Sequence, residues 1–194
     1  MKIVKKNFNV IPKEWFFFNP INNVYDKYFF KISNKIGVIF FYENKDEKNK
    51  FLKKVRPYIL WCKAKGISFM IQGSIFWANK YKAFGIFLDQ KNLMVCNKLN
   101  FNSIKKKFWI AGKVHNLKEA KSFGTLLNLV FISNVFETKT YPDKKKLSTF
   151  RFFSLCFLLK SKKIFALGGV NKNNFKKLKN KHLYGFGAIS YFKS

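Results

Sequence analysis

The residues best suited to chemistry lie near the end of the chain, in "FALGGVNKNNFKKLKNKHLYGFGAIS" (165–190). Two apolar runs carry glycines, Gly168 and Gly169 in the first and Gly185 and Gly187 in the second, and a short lysine-rich segment separates them. Glycine has no Cβ, so backbone N–H groups beside it can approach an anion closely. A helix capped by Asn171 would aim further N–H groups the same way. The second run adds Ala188, Ile189 and Ser190, which offer backbone N–H groups and one hydroxyl. A tight turn alone would also explain Gly168 and Gly169. Two such runs, one strand-helix unit apart, point instead to a phosphate cradle, and a bulky side chain at Gly169 is expected to fill it while leaving the fold intact.

Other reactive residues are sparse. Cys62, Cys96 and Cys156 are far apart and lack the paired spacing of a zinc site, so they are expected as buried thiols in a reducing cytoplasm. The net charge of +30 suggests an anionic partner. Arginine occurs only at Arg56 and Arg151, so nearly all of the 39 basic residues are lysines, spread over the whole chain. Scattered lysine with enriched Asn, Ile and Phe describes a solvated surface and argues against a dedicated nucleic-acid interface. The N-terminus shows no secretory signal. The longest apolar stretch, 150–159, contains Arg151 and is too short to span a bilayer, so a cytoplasmic protein with no membrane segment is expected.

The elements that must position these residues alternate. Strand-like runs occur at 15–18, 38–43, 68–73, 85–89, 108–114, 129–133, 163–169 and 184–190. Between them lie helical segments: 48–66, where Pro57 is expected to kink or interrupt the run, 116–123 opening on Asn116, and 171–180 opening on Asn171. Eight strands with crossover helices predict an α/β fold, a compact (β/α)8 TIM barrel forming one domain over 1–194. Only residues 191–194 follow the last strand, so the last outer helix should be short or missing. In such barrels the loops after strands seven and eight commonly hold phosphate, which is where both glycine runs fall.

In four ordered blocks over 38–190 the chain resembles the thiamine phosphate synthase and thiazole tautomerase superfamily. "IFALGGVNKNNFKKL" with "GFGAIS" is similar to the family's AIGGI, N-x-x-x-L and G-x-A-x-I-S series. "SFMIQGSIFWANKYKAFGIFLDQ", "WIAGKVHNLKEAKSFG" and "FISNVFETKTYP" resemble its middle blocks. The resemblance implies that Gly168, Gly169, Ala188, Ile189 and Ser190 bind the phosphate of a thiazole phosphate, and that Thr138 and Thr140 contact diphosphate or thiazole. Gln72 stands at the position of an asparagine of the site, and Lys113 replaces a serine after strand five.

The catalytic half departs from the family pattern. Synthases join a pyrimidine methyl diphosphate to thiazole phosphate with magnesium on two carboxylates, but those positions are Gly73 and Asn92 here. Phe40, Tyr42 and Asn44 replace the Gln, Arg and Lys of strand two, and Tyr141 replaces a loop lysine. The tautomerase histidine is Asn134, which cannot relay a proton near neutral pH. Of the nine acidic residues only Asp89 and Glu43 end strands at the barrel top, and magnesium is expected only if Asp89 substitutes. His115 is expected to cap the next helix, and His182 has no evident partner. The expected function is binding of thiazole phosphate or thiamine phosphate by a divergent family member. The alternatives are an active synthase that meets diphosphate with lysines such as Lys113, and a basic nucleic-acid-associated protein.

Overall fold

Strands buried on both faces need apolar side chains at consecutive positions, and the Phe-, Ile- and Val-rich runs meet that need. The computed structural model describes residues 10–22, 26–73, 75–89, 98–138 and 145–193. Its strands are β1 (Glu14–Phe18), β2 (Ile36–Phe40), β3 (Phe69–Gln72), β4 (Gly85–Leu88), β5 (Trp109–Val114), β6 (Leu129–Ile132), β7 (Lys163–Leu167) and β8 (Leu183–Ala188). Each pairs in parallel with the next, and Trp15 beside Gly187 closes β1 onto β8. The result is the expected eight-stranded barrel.

Alternation along each strand makes two cores. On β1, Trp15 and Phe17 point into the barrel, whereas Phe16 and Phe18 pack outward against the helices. The interior is largely aromatic: the Phe17 ring meets Phe131 at 5.1 Å and Phe87 at 5.4 Å, both edge-on, and Phe131 stacks on Phe165 at 4.9 Å. Such pairs add about 0.5–1.5 kcal/mol each beyond area burial. Glycine supplies the space, since a Cβ on Gly187 would lie 2.7 Å from Phe17 Cε2.

Among the described residues the helices are α1 (Asp26–Phe29), α2 (Lys48–Ala64), α3 (Ile75–Lys80), α4 (Lys98–Lys107), α5 (Leu117–Ser122), α6 (Thr149–Leu158) and α7 (Lys172–Phe175). Pro57 does not interrupt α2, which is helical throughout. The proline is on the solvent face, where water can satisfy the carbonyl that its missing N–H releases, while Phe51, Val55, Tyr58, Ile59 and Cys62 bury the opposite face. The segment expected as a helix over 171–180 yields only the four-residue α7 and a 3₁₀ turn, Lys176–Leu178, which stops at Lys179 with φ 33°. After β8 comes a single turn, Tyr191–Lys193. Its Phe192 ring packs 5.1 Å from Phe16 and its Tyr191 ring 5.6 Å from Phe186, covering β1 and β8 where an eighth helix would lie. No described helix is long and apolar enough to cross a membrane.

Candidate functional site

The loops following β6, β7 and β8 meet at the C-terminal mouth of the barrel. Val135 N–H donates to the Leu167 carbonyl and Phe136 N–H to the Gly168 carbonyl, both at 3.0 Å. Asn174 Nδ2 donates to the Gly169 carbonyl at 2.8 Å. With φ of 91° and 63°, Gly168 and Gly169 adopt the left-handed backbone that favours glycine. The N–H groups of Gly169, Val170, Ile189 and Ser190 donate to no described residue. Between the loops is a cavity of about 60 Å³, with Phe17 among its walls and Lys113, His115, Ser133, Asn134, Thr138, Gly168, Gly169, Ala188, Ile189 and Ser190 around it. Phe17, Ser133, Leu167 and Val170 line the cavity without having been expected there from the sequence. The signal for Ser133 was available, because Leu129 and Phe131 face the interior and the same alternation carries 133 inward.

Two sequence-level expectations need correction. Gly169 does not direct a substituent into the cradle: a Cβ there would collide with the Glu137 carbonyl oxygen and lie 3.0 Å from Phe136 Cβ. A bulky residue at 169 therefore attacks the packing of β7 against the loop after β6. The start of α7 likewise offers little to an anion. Asn171 Oδ1 already accepts from the N–H groups of Asn173 and Asn174 at 3.0 Å, and Asn174 Oδ1 accepts from Asn171 N–H at 2.8 Å. This reciprocal cap uses the donors that a phosphate would need, leaving those of the glycine turn and of 189–190.

Lys113 leaves β5 on the inward side, and its Nζ stands 5.4 Å from the Phe17 ring centroid, 5.7 Å from Phe41 and 5.9 Å from Phe87. His115, two residues on, is held by Glu119. One Glu119 oxygen accepts from His115 N–H at 2.8 Å and lies 3.0 Å from Nδ1, and the other accepts from Asn116 Nδ2 at 3.0 Å. Asn116 Oδ1 accepts from Glu119 N–H at 2.9 Å, so the histidine belongs to the cap of α5 and also lines the cavity. His182 lies outside the cavity, its N–H donating to Asn180 Oδ1 at 2.9 Å in the turn before β8.

The β2 to β4 side is built differently. Gln72, 7% exposed at the end of β3, does not line the cavity; its Oε1 accepts from Tyr42 N–H at 3.1 Å and ties the loop after β2 to β3. Burial and then the nearby Asp89 charge push the Tyr42 hydroxyl above its ordinary pKa. Glu43 is exposed, and its N–H donates to Glu47 Oε2 at 3.3 Å. Gly73 presents no side chain, and its φ of 69° disfavours any other residue. Among the described residues Gly73 offers no carboxylate at the first magnesium position of the family pattern, and no three His, Cys, Asp or Glu residues cluster. Thr140, Asn92, Tyr141 and Cys96 lie outside the described residues.

A family model described as thiamine monophosphate synthase matches residues 30–192. The chain belongs to the thiamine monophosphate synthase family. A thiamine-phosphate synthase of Fusobacterium nucleatum subsp. nucleatum is 30% identical over 144 residues, which span 72% of this chain and 67% of that protein. A thiamine phosphate pyrophosphorylase from Pyrococcus furiosus superposes with a TM-score of 0.69 at 15% identity, covering 92% of this chain and 86% of its own. A citrate synthase variant superposes at 0.62 with 10% identity, over 94% and 88% of the two chains. At these identities the solved structures speak to the barrel and not to its chemistry. Within this thiamine monophosphate synthase barrel, Thr138, Gly168, Gly169, Ala188, Ile189, Ser190 and Lys113 come together at one cavity, and Gln72 stands apart.

Proposed function

We propose that this protein binds thiazole phosphate, or thiamine phosphate carrying the same group, with its phosphate in the cavity between the β6, β7 and β8 loops. It would act in thiamine metabolism with the family's metal and diphosphate-binding residues largely replaced. The observation that carries this reading is the set of four N–H groups, at Gly169, Val170, Ile189 and Ser190, that line or flank the cavity without a described acceptor. Val170 is buried, Gly169 and Ile189 are half-buried and Ser190 is exposed, so these N–H groups remain open to an anion entering the cavity, and a phosphate supplies acceptors to several at once. The Ser190 hydroxyl, Thr138 and the Lys113 ammonium add donors at the same place. Thr140 is assigned to the same ligand on the family motif alone. Free Cys62 and Cys156 support a reducing cytoplasm as the place of action.

Lys113 also favours a second reading, an active synthase in which lysine meets the diphosphate leaving group; formation of thiamine phosphate from the pyrimidine methyl diphosphate and thiazole phosphate tests it. For binding, charge-assisted hydrogen bonds contribute about 1.5–3 kcal/mol each, so two of them favour the phosphorylated ligand by about a hundredfold or more. Calorimetric titration of thiazole phosphate and of the unphosphorylated thiazole alcohol measures that ratio, in moderate salt to screen the +30 surface. Equal affinities would reduce Gly168 and Gly169 to turn residues.

A further inference from the structure

The family pattern places a serine where this chain has Lys113, so the role of the lysine has to come from its surroundings. On β5, Ile110 and Val114 pack outward against the helices, while Ala111 faces the interior and Lys113 follows it inward. Its ammonium is within 6 Å of three ring centroids carried by β1, the end of β2 and β4. The same side chain lines the cavity bounded by Gly169 in the loop after β7, Ala188 at the end of β8 and Ser190 just beyond it. The charge therefore stands over the barrel mouth, between the cradle and the opposite half of the site.

Three ring faces attract the cation and pack around its stem, which limits the rotamer freedom it would lose when an anion binds. The aromatic surroundings weaken dielectric screening, so the field of the ammonium at the cavity is larger than that of an exposed lysine. At the end of β3, Gly73 presents no side-chain oxygen, and the Asp89 charge acts on the Tyr42 hydroxyl.

We propose that Lys113 is the resident cation of this site: an aromatic-held ammonium that neutralises the bound phosphate directly, with no divalent metal between them. The inference rests on the cradle reading above. It differs from a bulk effect of surface lysines because it assigns the discrimination to one side chain in the barrel mouth.

The test titrates wild type, Lys113→Met and Lys113→Arg with thiazole phosphate and with thiazole alcohol, each in EDTA and again in millimolar magnesium chloride. Methionine keeps a flexible apolar stem in the ring cage, and thermal melting of every variant verifies the fold. Wild type should bind thiazole phosphate equally well in both buffers. Lys113→Met should weaken thiazole phosphate by about 10- to 100-fold while leaving the alcohol unchanged, and Lys113→Arg should recover part of the loss. A wild type that needs magnesium, or a folded Lys113→Met variant with undiminished preference for the phosphate, overturns the proposal while the cradle stands. A wild type that binds phosphate and alcohol equally overturns both.

Discussion

Replacing Gly169 with alanine separates a structural glycine from one that merely leaves room for a ligand. At φ 63° an L-residue is strained by about 1–2 kcal/mol. The new methyl would also meet the Glu137 carbonyl, so the segment after β6 has to move. That segment is tied to β7 through Val135 N–H on Leu167 O and Phe136 N–H on Gly168 O, and weakening two backbone hydrogen bonds costs about 1 kcal/mol each. The sum is about 3–4 kcal/mol. For a chain of this size that lowers the melting midpoint by about 6–16 °C. Thermal unfolding of ligand-free Gly169→Ala against wild type is the assay, with Thr138→Ala as a cavity-lining control expected to melt within about 2 °C of wild type. An unchanged midpoint for Gly169→Ala would refute the reasoning, because neither the left-handed backbone nor the contact with Glu137 could then be real.

Two other perturbations probe the supports of the site. Glu119→Ala removes the acceptor of His115 N–H, His115 Nδ1 and Asn116 Nδ2, and should destabilise the protein by about 1–3 kcal/mol in urea unfolding, whereas Lys118→Ala on the exposed side of α5 should stay within about 0.5 kcal/mol. Burial pushes the Cys62 and Cys156 thiols from 9.0 up to about 12, and burial with a hydrogen bond to Asp26 pushes Tyr58 from 10.0 to about 12. The unfolded chain therefore loses these protons first. Their contribution is complete below about pH 9 and falls as the pH rises toward 12, so urea midpoints should decline across that window. Neither thiol should react with an alkylating reagent at pH 8 until the chain unfolds.

The barrel was legible because its strands announce themselves one at a time. A parallel strand covered on both faces must be apolar at successive positions, and "WFFF", "FMI" and "LVFI" are, so all eight strands could be placed before their pairing was known. Pro57 misleads for the converse reason: the rule that proline breaks a helix concerns the backbone alone, and exposure of that turn of α2 to water removes much of the penalty. At the site, composition named the glycines but could not orient them. Whether a hydrogen atom of Gly169 faces a ligand or a carbonyl depends on where the loop after β6 runs, and that path is fixed by tertiary hydrogen bonds to Leu167 and Gly168. Asn171 shows the same limit from the other side. Its sequence position marks a helix start, yet only the structure reveals that Asn174 completes the cap and consumes the donors assigned to the anion. What remains for a phosphate is the narrow turn at 169–170, the end of β8 and one lysine whose inward direction follows from alternation on β5. On the proposed reading Lys113 supplies the charge and the backbone N–H groups set the geometry of the anion, so substitutions that move the β6 loop should alter phosphate binding as strongly as substitutions in the glycine turn itself.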